Sequence, residues 1–370
     1  MLDKQYEELL KPILDIYNEI ETELLLNIAM RFDTYETLGG SLDWYLKRLQ
    51  GMGAFNKENL AIIKKLSPKA NKAIDKMIKG AGYQTILTNG KMNLETLMAS
   101  TVNRHIIQSI LTDTLADVKI INTKALESAN KAYMDILTKS YIETSGGVYS
   151  YEESIKRALV EMAKQGISGA TYQRNGKVVQ YNLEGTVRRD VLTRAHKCSV
   201  DVQMNNVKEL GGNLVYVSQH LGARTHPTDK WANHAGWQGK VYMVEGSSET
   251  YPNLIEATGY GDITGLAGVN CRHHIYPYIE GTPLPSRIDE EEDERVYALS
   301  QQQRKLERDV RQAKKELAVI KTMDDPDLTR KAKDKLEAKT DKLNAFVKAH
   351  KELKRDYART RVSEDYIKVR

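Results

Sequence analysis

Cys271, Arg272, His273 and His274 stand consecutively in the second half of a 370-residue chain, with His220, His226 and His234 upstream. Thiol and imidazole are the side chains that ligate zinc and that serve as nucleophile and base. If residues 271–276 are extended, Cys271 and His273 share one side of the strand and His274 faces the other. His220 and His234 then complete a candidate zinc set of His220, His234, Cys271 and His273. The bland alternative makes these histidines hydrogen-bonded anchors for the loops around them. A further alternative is a thiol- or metal-dependent hydrolase centred on Cys271 and His234. No protease signature, Walker motif, HExxH or paired-carboxylate motif accompanies them, and the glycines at 259, 261, 265 and 268 lack the strand-to-helix setting of a phosphate loop. No catalytic residue is therefore assigned.

Residues 220–285 must hold these groups in place, and their composition is distinctive. The stretch contains five of the eight His, five of the eight Pro and two of the three Trp, so it reads as a loop-rich module. A strand is expected over Asn213–Gln219 and a helix from Thr186 to Leu210. That helix turns Val187, Val191, Ala195, Cys198 and Val202 inward, which makes Cys198 an inert buried thiol. Before it, TYQR-NG-KVVQYN over 171–182 predicts a hairpin turned by Asn175-Gly176.

The first 145 residues read as helices and form no chemical constellation. Tyr6, Leu9, Ile13, Ile16, Ile20 and Leu24 step by three and four. Gly39-Gly40 breaks this pattern and Ser41 caps the next helix, while Gly80, Gly82 and Asn89-Gly90 punctuate those that follow at 57–79 and 93–142. At the other end, Val296, Leu299, Gln303, Leu306, Val310, Ala313, Leu317 and Ile320 form a coiled-coil seam. Ala332, Leu336, Leu343, Phe346, His350, Leu353 and Tyr357 form a second. Met323–Asp327 is the turn between them, with Pro326 ending the first helix, so the two fold back as an antiparallel hairpin. The fold class is α+β and predominantly helical. Three consecutive regions are expected: helical 1–145, an α+β module at 146–285, and a basic hairpin at 286–370.

Composition narrows the function. Apolar residues make up 41% and charged residues 28%, which excludes both a disordered chain and a membrane protein. No apolar run approaches the ~20 residues of a membrane span, and the N-terminus does not read as a signal peptide. With two cysteines, the chain is no disulfide scaffold. The net charge of +5 conceals a split: residues 295–370 hold 22 Lys+Arg against 13 Asp+Glu, leaving the remainder at −4. Lys331, Lys333, Lys335, Lys339, Lys342, Lys348, Lys351, Lys354 and Arg355 crowd the second helix of the hairpin, where they would either face DNA or form a solvated surface.

The ordered blocks SxHLGAR (218–224), HAGWQGKVY (234–242), YP (251–252), TGYG (258–261) and NCRHxxYPY (270–278) resemble the phage minor capsid protein 2 family, akin to Mu F-type head-morphogenesis proteins. The resemblance implies a structural virion protein, a few copies per head, made in the host bacterial cytoplasm. It implies a place inside the capsid near the portal, a part in head assembly, and a role in DNA packaging or ejection. Portal protein, other head proteins and packaged double-stranded DNA are the implied partners, the N-terminal region being the part that docks. The motif residues carried over are His220, Arg224, His234, Trp237, Gln238, Gly239, Cys271, Arg272 and His273, which would cross-tie the loops. The insertion THPTDKWAN (225–233) is longer than the family usually shows, so His226 and Trp231 are not carried over, and Val269 stands where an aromatic is commoner.

Overall fold

The computed structural model describes residues 3–32, 41–89, 91–174 and 177–362. The expected α+β, predominantly helical class is observed. The chain runs α1 (Asp3–Met30), α2 (Leu42–Gln50), α3 (Met52–Leu87), α4 (Lys91–Ala99), α5 (Thr101–Ser145) and α6 (Tyr151–Gln165). A hairpin of β1 (Ser168–Arg174) and β2 (Lys177–Asn182) leads into α7 (Leu183–Glu209). The central module holds β3 (Leu214–Val217), the one-turn α8 (His234–Trp237), β4 (Val241–Met243), α9 (Leu254–Thr258) and β5 (Ile275–Pro277). The chain then ends in α10 (Glu290–Lys321) and α11 (Pro326–Ala349). No helix among the described residues is long and apolar enough to cross a membrane.

Contacts gather the chain into two compact units, each assembled from three separate segments. The first takes the residues up to Pro12, Asn71–Asp117 and Arg188–Gln302. The second takes Ile13–Ala70, Val118–Val187 and the residues from Gln303 onward. Every one of these boundaries falls within a helix: α1, α3, α5, α7 or α10.

In the first unit, the antiparallel sheet β4-β3-β5 pairs Val215 with Tyr242 on one side and Tyr216 with Tyr276 on the other. Val200 and Val207 of α7 join Val215, Val217, Trp237, Tyr242, Leu254, Cys271 and Ile275 in one buried cluster. The five inward positions expected on α7 are all fully buried, Cys198 among them. Burial pushes the Cys198 thiol up to about 12. The glycines expected to punctuate the region do not stop α3, which runs through both Gly80 and Gly82. A Cβ on Gly82 would lie 2.5 Å from the Ile107 side chain and 3.3 Å from Cys198 Sγ. These glycines therefore serve helix packing rather than chain reversal. Polar pairs fix the register of the same helices. Asn103 donates to Asn206 at 2.8 Å, Asn205 donates to Asn103 at 2.9 Å, and the Thr85 and Ser199 hydroxyls meet at 2.6 Å.

In the second unit, β1 and β2 pair from Arg174–Lys177 back to Ser168–Asn182, so the expected hairpin forms, its turn residues Asn175-Gly176 lying outside the described residues. Gly39-Gly40 and Gly90 lie outside them too. Ser41 caps α2 as expected, accepting from Trp44 N at 3.2 Å. On α1 the buried row is Tyr6, Leu10, Ile13, Tyr17, Ile20, Leu24 and Ile28, with Leu9 and Ile16 only half-buried. That apolar stripe is consumed by the chain's own packing. Glu21, on the same helix, is fully buried: Lys315 Nζ of α10 lies 2.6 Å from its Oε2, and the Ile167 N–H donates to its Oε1 at 3.1 Å.

The C-terminal antiparallel hairpin is present, with Leu306 and Val310 packed on Leu343, Leu336 and Phe346. Lys335 pairs with Glu316 at 2.6 Å and Lys339 with Asp309 at 3.2 Å across it. Three expectations are corrected. Pro326 opens α11 rather than ending α10, which stops at Lys321, because the first helical turn has no use for the N–H that proline lacks. The second helix ends at Ala349, so Lys351, Lys354 and Arg355 lie beyond it and Tyr357 is 75% exposed. On α10 burial extends past the seam to Lys315, Glu316, Ala318 and Val319, a broader buried face than two helices alone would produce.

Two outcomes follow from the buried charges. Lys315→Met strands the Glu21 carboxylate and should lower unfolding stability by about 3–5 kcal/mol, with Glu21→Gln/Lys315→Met recovering part of the loss in a denaturant titration. Burial, assisted by Asp117, raises the Asp190 carboxyl to about 6. A carboxyl raised in the folded state opposes folding once ionised, so its cost grows as pH rises from the unfolded value near 4 through 6. Asp190→Asn should therefore raise unfolding stability at pH 7 by on the order of 1–3 kcal/mol, seen as a higher melting temperature, and give no gain below pH ~4.

Candidate functional site

The loops of the first unit are tied to β3. Val217 N–H donates to Lys240 O at 2.9 Å, and Gly239 N–H returns a bond to Val217 O at 3.0 Å. One residue on, Ser218 N–H donates to His274 O at 2.8 Å while His274 N–H donates to Ser218 Oγ at 2.9 Å. The two motif stretches 234–240 and 271–274 are thus held on opposite sides of one strand end. Gly239 has φ +70°, a left-handed backbone that calls for glycine, and a Cβ there would also push the Gln219 carboxamide aside from 2.6 Å.

Gln238 is the hub of the arrangement and is only 3% exposed. Its Oε1 accepts from His220 N–H at 3.0 Å and faces His273 Nε2 at 3.0 Å. Because a carboxamide oxygen can only accept, His273 Nε2 must carry the proton, and Nδ1 holds the ring's lone pair. That Nδ1 lies 3.6 Å from Cys271 Sγ. The Gln238 amide points at Asp293 Oδ2 at 3.5 Å, and Asp293 Oδ1 accepts from Gly222 N–H at 2.6 Å and Ala223 N–H at 3.1 Å. Burial raises the Asp293 carboxyl above its ordinary value, and those donors oppose the rise.

His234 follows the same logic. Its Nε2 sits 2.8 Å from Thr264 O, a carbonyl, so Nε2 is protonated and Nδ1 is the nitrogen with a lone pair. Arg224 donates to Thr264 O at 3.3 Å and Val269 O at 2.5 Å, clamping the 264–269 loop. Trp237 Nε1 donates to Trp231 O at 3.0 Å, and Tyr242 OH to Trp237 O at 2.7 Å. Trp237 also packs against both imidazoles, with ring centroids 4.5 Å from His234 and 4.7 Å from His273. Burial lowers His234 to about 3 and holds His273 well below the usual histidine range, so both rings are neutral at pH 7.

All four residues of the sequence-derived zinc set come together. The ligating atoms of His234, Cys271 and His273 lie within 4.8 Å of one another, and all three residues are buried. His220 joins by stacking on His273, centroid to centroid 4.6 Å. Arg224, Trp237, Gln238 and Gly239 surround the cluster, while Arg272 is half-buried beside it in sequence. His226 is exposed and accepts from Asp229 N–H at 2.9 Å. Asp293 and Thr264 were missed: Asp293 is hidden in an acidic run that reads as the solvated first turn of α10, and Thr264 acts only through its backbone carbonyl. The nine basic residues divide. Lys331, Lys333, Lys342, Lys348, Lys351 and Lys354 are exposed. Lys335 and Lys339 are engaged within the hairpin, and Arg355 lies over the Tyr357 ring and donates to Thr360 Oγ1.

His234, Cys271 and His273 thus form a buried cluster whose two imidazoles are fastened on a carbonyl and a carboxamide. The chain belongs to the Phage minor capsid protein 2 family, whose model matches residues 1–348. It is similar to a structural protein of Lactococcus phage LL-H, 27% identical over 337 residues that cover 86% of this chain and 88% of that one. A second structural protein, from Lactococcus phage mv4, is 30% identical over 115 residues, 30% of this chain and 93% of the other. No solved structure matches the chain. It is thus a bacteriophage structural protein.

Gln238→Leu removes the acceptor for two buried donors, His220 N–H and His273 Nε2–H. It should lower the denaturation midpoint by an amount equivalent to about 2–6 kcal/mol, at about 1–3 kcal/mol per unmet donor.

Proposed function

We propose that the chain works inside the phage head beside the portal, as a minor capsid protein of head assembly rather than as an enzyme. The observation that carries this reading is family membership across residues 1–348. In the proposed division of labour, residues 1–145 dock on portal or other head proteins, the module at 146–285 is the rigid centre, and 286–370 face packaged DNA.

Local features support both surfaces. On α5, Ile120 and Ile142 are 59% and 62% exposed. Their separation of 22 residues is about six turns, which puts them on one face roughly 33 Å apart. At the other end, the six exposed lysines can reach phosphates without disturbing the packed seam. Both buried imidazoles being neutral supports the non-enzymatic reading. A ring held at about 3, as His234 is, makes a poor base for a thiol at neutral pH.

The test compares heads assembled with and without portal protein, assayed for this chain by mass spectrometry. Heads lacking the portal should lack the chain, and equal incorporation would overturn the portal assignment. In parallel, the full-length protein should bind duplex DNA with an affinity that falls steeply with salt, and replacing Lys331, Lys333, Lys342 and Lys348 by Glu should abolish that binding.

A further inference from the structure

We propose that Cys271, His234 and His273 bind one zinc ion that locks the loop module, with the thiolate and the two Nδ1 atoms as its protein ligands. The inference goes beyond the virion reading, and its failure would leave that reading intact.

Proton accounting supports the assignment. Bonds to Thr264 O and to Gln238 Oε1 commit both Nε2–H groups outward, so each ring keeps its lone pair on Nδ1. Two lone-pair nitrogens then face one sulfur among buried side chains. A cation satisfies the sulfur and both nitrogens at once. The outward anchors are also what metal-binding histidines need: a far N–H held by a carbonyl or carboxamide fixes both tautomer and ring orientation. His234 and His273 each have one, on different chain segments.

Distance supports it as well. Zn–S near 2.3 Å and Zn–N near 2.05 Å, at the tetrahedral angle, place sulfur and nitrogen about 3.6 Å apart. Cys271 Sγ and His273 Nδ1 are separated by 3.6 Å. The three ligating atoms all lie within 4.8 Å of one another, so closing them to tetrahedral spacing takes shifts on the order of 1 Å with both anchors kept. His220 is excluded from the ligand set because its ring lies parallel to His273, with an interplanar angle of 25°, and its backbone N–H is already fixed on Gln238. The fourth position goes to a water molecule. On binding, Cys271 loses its proton to solvent and no other bond changes; zinc remains divalent, so no oxidant or reductant is involved. Two segments, 234–238 and 271–273, and through the His234 anchor the loop at 264, become cross-linked through one ion, which suits a module whose strands are only three and four residues long.

The experiment uses the full-length chain without a polyhistidine tag, purified under reducing conditions, loaded with zinc sulfate and dialysed. About one zinc per chain is expected, together with a lower melting temperature after treatment with a strong chelator. Cobalt(II) loading should give a thiolate-to-metal charge-transfer band in the near ultraviolet and tetrahedral bands in the visible. Cys271→Ser and His273→Gln should lose the metal, while His220→Gln and Cys198→Ser keep it. Loss of zinc in His220→Gln would overturn the three-ligand assignment. Wild-type protein that retains well under one zinc, or a cobalt form without the thiolate band, would overturn the site itself and leave a thiol donating to an imidazole. These two measurements need no variant to fold.

Discussion

A buried carboxylate must be met by donors, and each unit of this protein is organised around one. Glu21 receives the Lys315 ammonium and the Ile167 N–H, which brings α1, α10 and the start of β1 to one point. Asp293 receives the Gly222 and Ala223 N–H groups and the Gln238 amide. Such charges cost several kcal/mol to desolvate and contribute little net stability, but any packing that leaves them unmatched is heavily penalised. We read them as specificity devices: they admit one arrangement of helices whose apolar faces alone would tolerate several.

The fixation of the histidine cluster follows from the second of these. Asp293 orients the Gln238 amide, so its oxygen faces His220 and His273. That oxygen sets the His273 tautomer, and the tautomer turns a lone pair toward Cys271. Chemistry at Sγ is thus governed three groups away, by a residue in the first turn of a C-terminal helix. Gln238 and His273 are the middle of this relay, and Asp293 is its far end.

Periodicity made much of this legible. The inward face of α7, the β1–β2 hairpin, the Ser41 cap and the folded-back C-terminal helices all follow from apolar spacing and turn chemistry. The His220, His234, Cys271 and His273 group was legible because ordered motif blocks imply proximity. What remained hidden was polar or close-packed. Asn103, Asn205 and Asn206 look like surface residues until another helix supplies their partners. Gly80 and Gly82 look like breakers until the Leu9 and Ile107 side chains are seen against them. Pro326 reads equally as a stop or a start, and only the Asp325 cap, accepting from Leu328 N–H at 3.0 Å, decides for a start. Lys315 and Glu316 read as outward charges because no single-helix pattern anticipates burial on several sides.

The interleaving of segments has a consequence for synthesis. Glu21 and Lys315 are 294 residues apart, and neither unit is complete without residues beyond 188. At 5–20 residues per second, about 15–60 s separate translation of the two partners of that ion pair. That ion pair therefore cannot form until residue 315 has left the ribosome, so the final environment of α1 is set only late in synthesis.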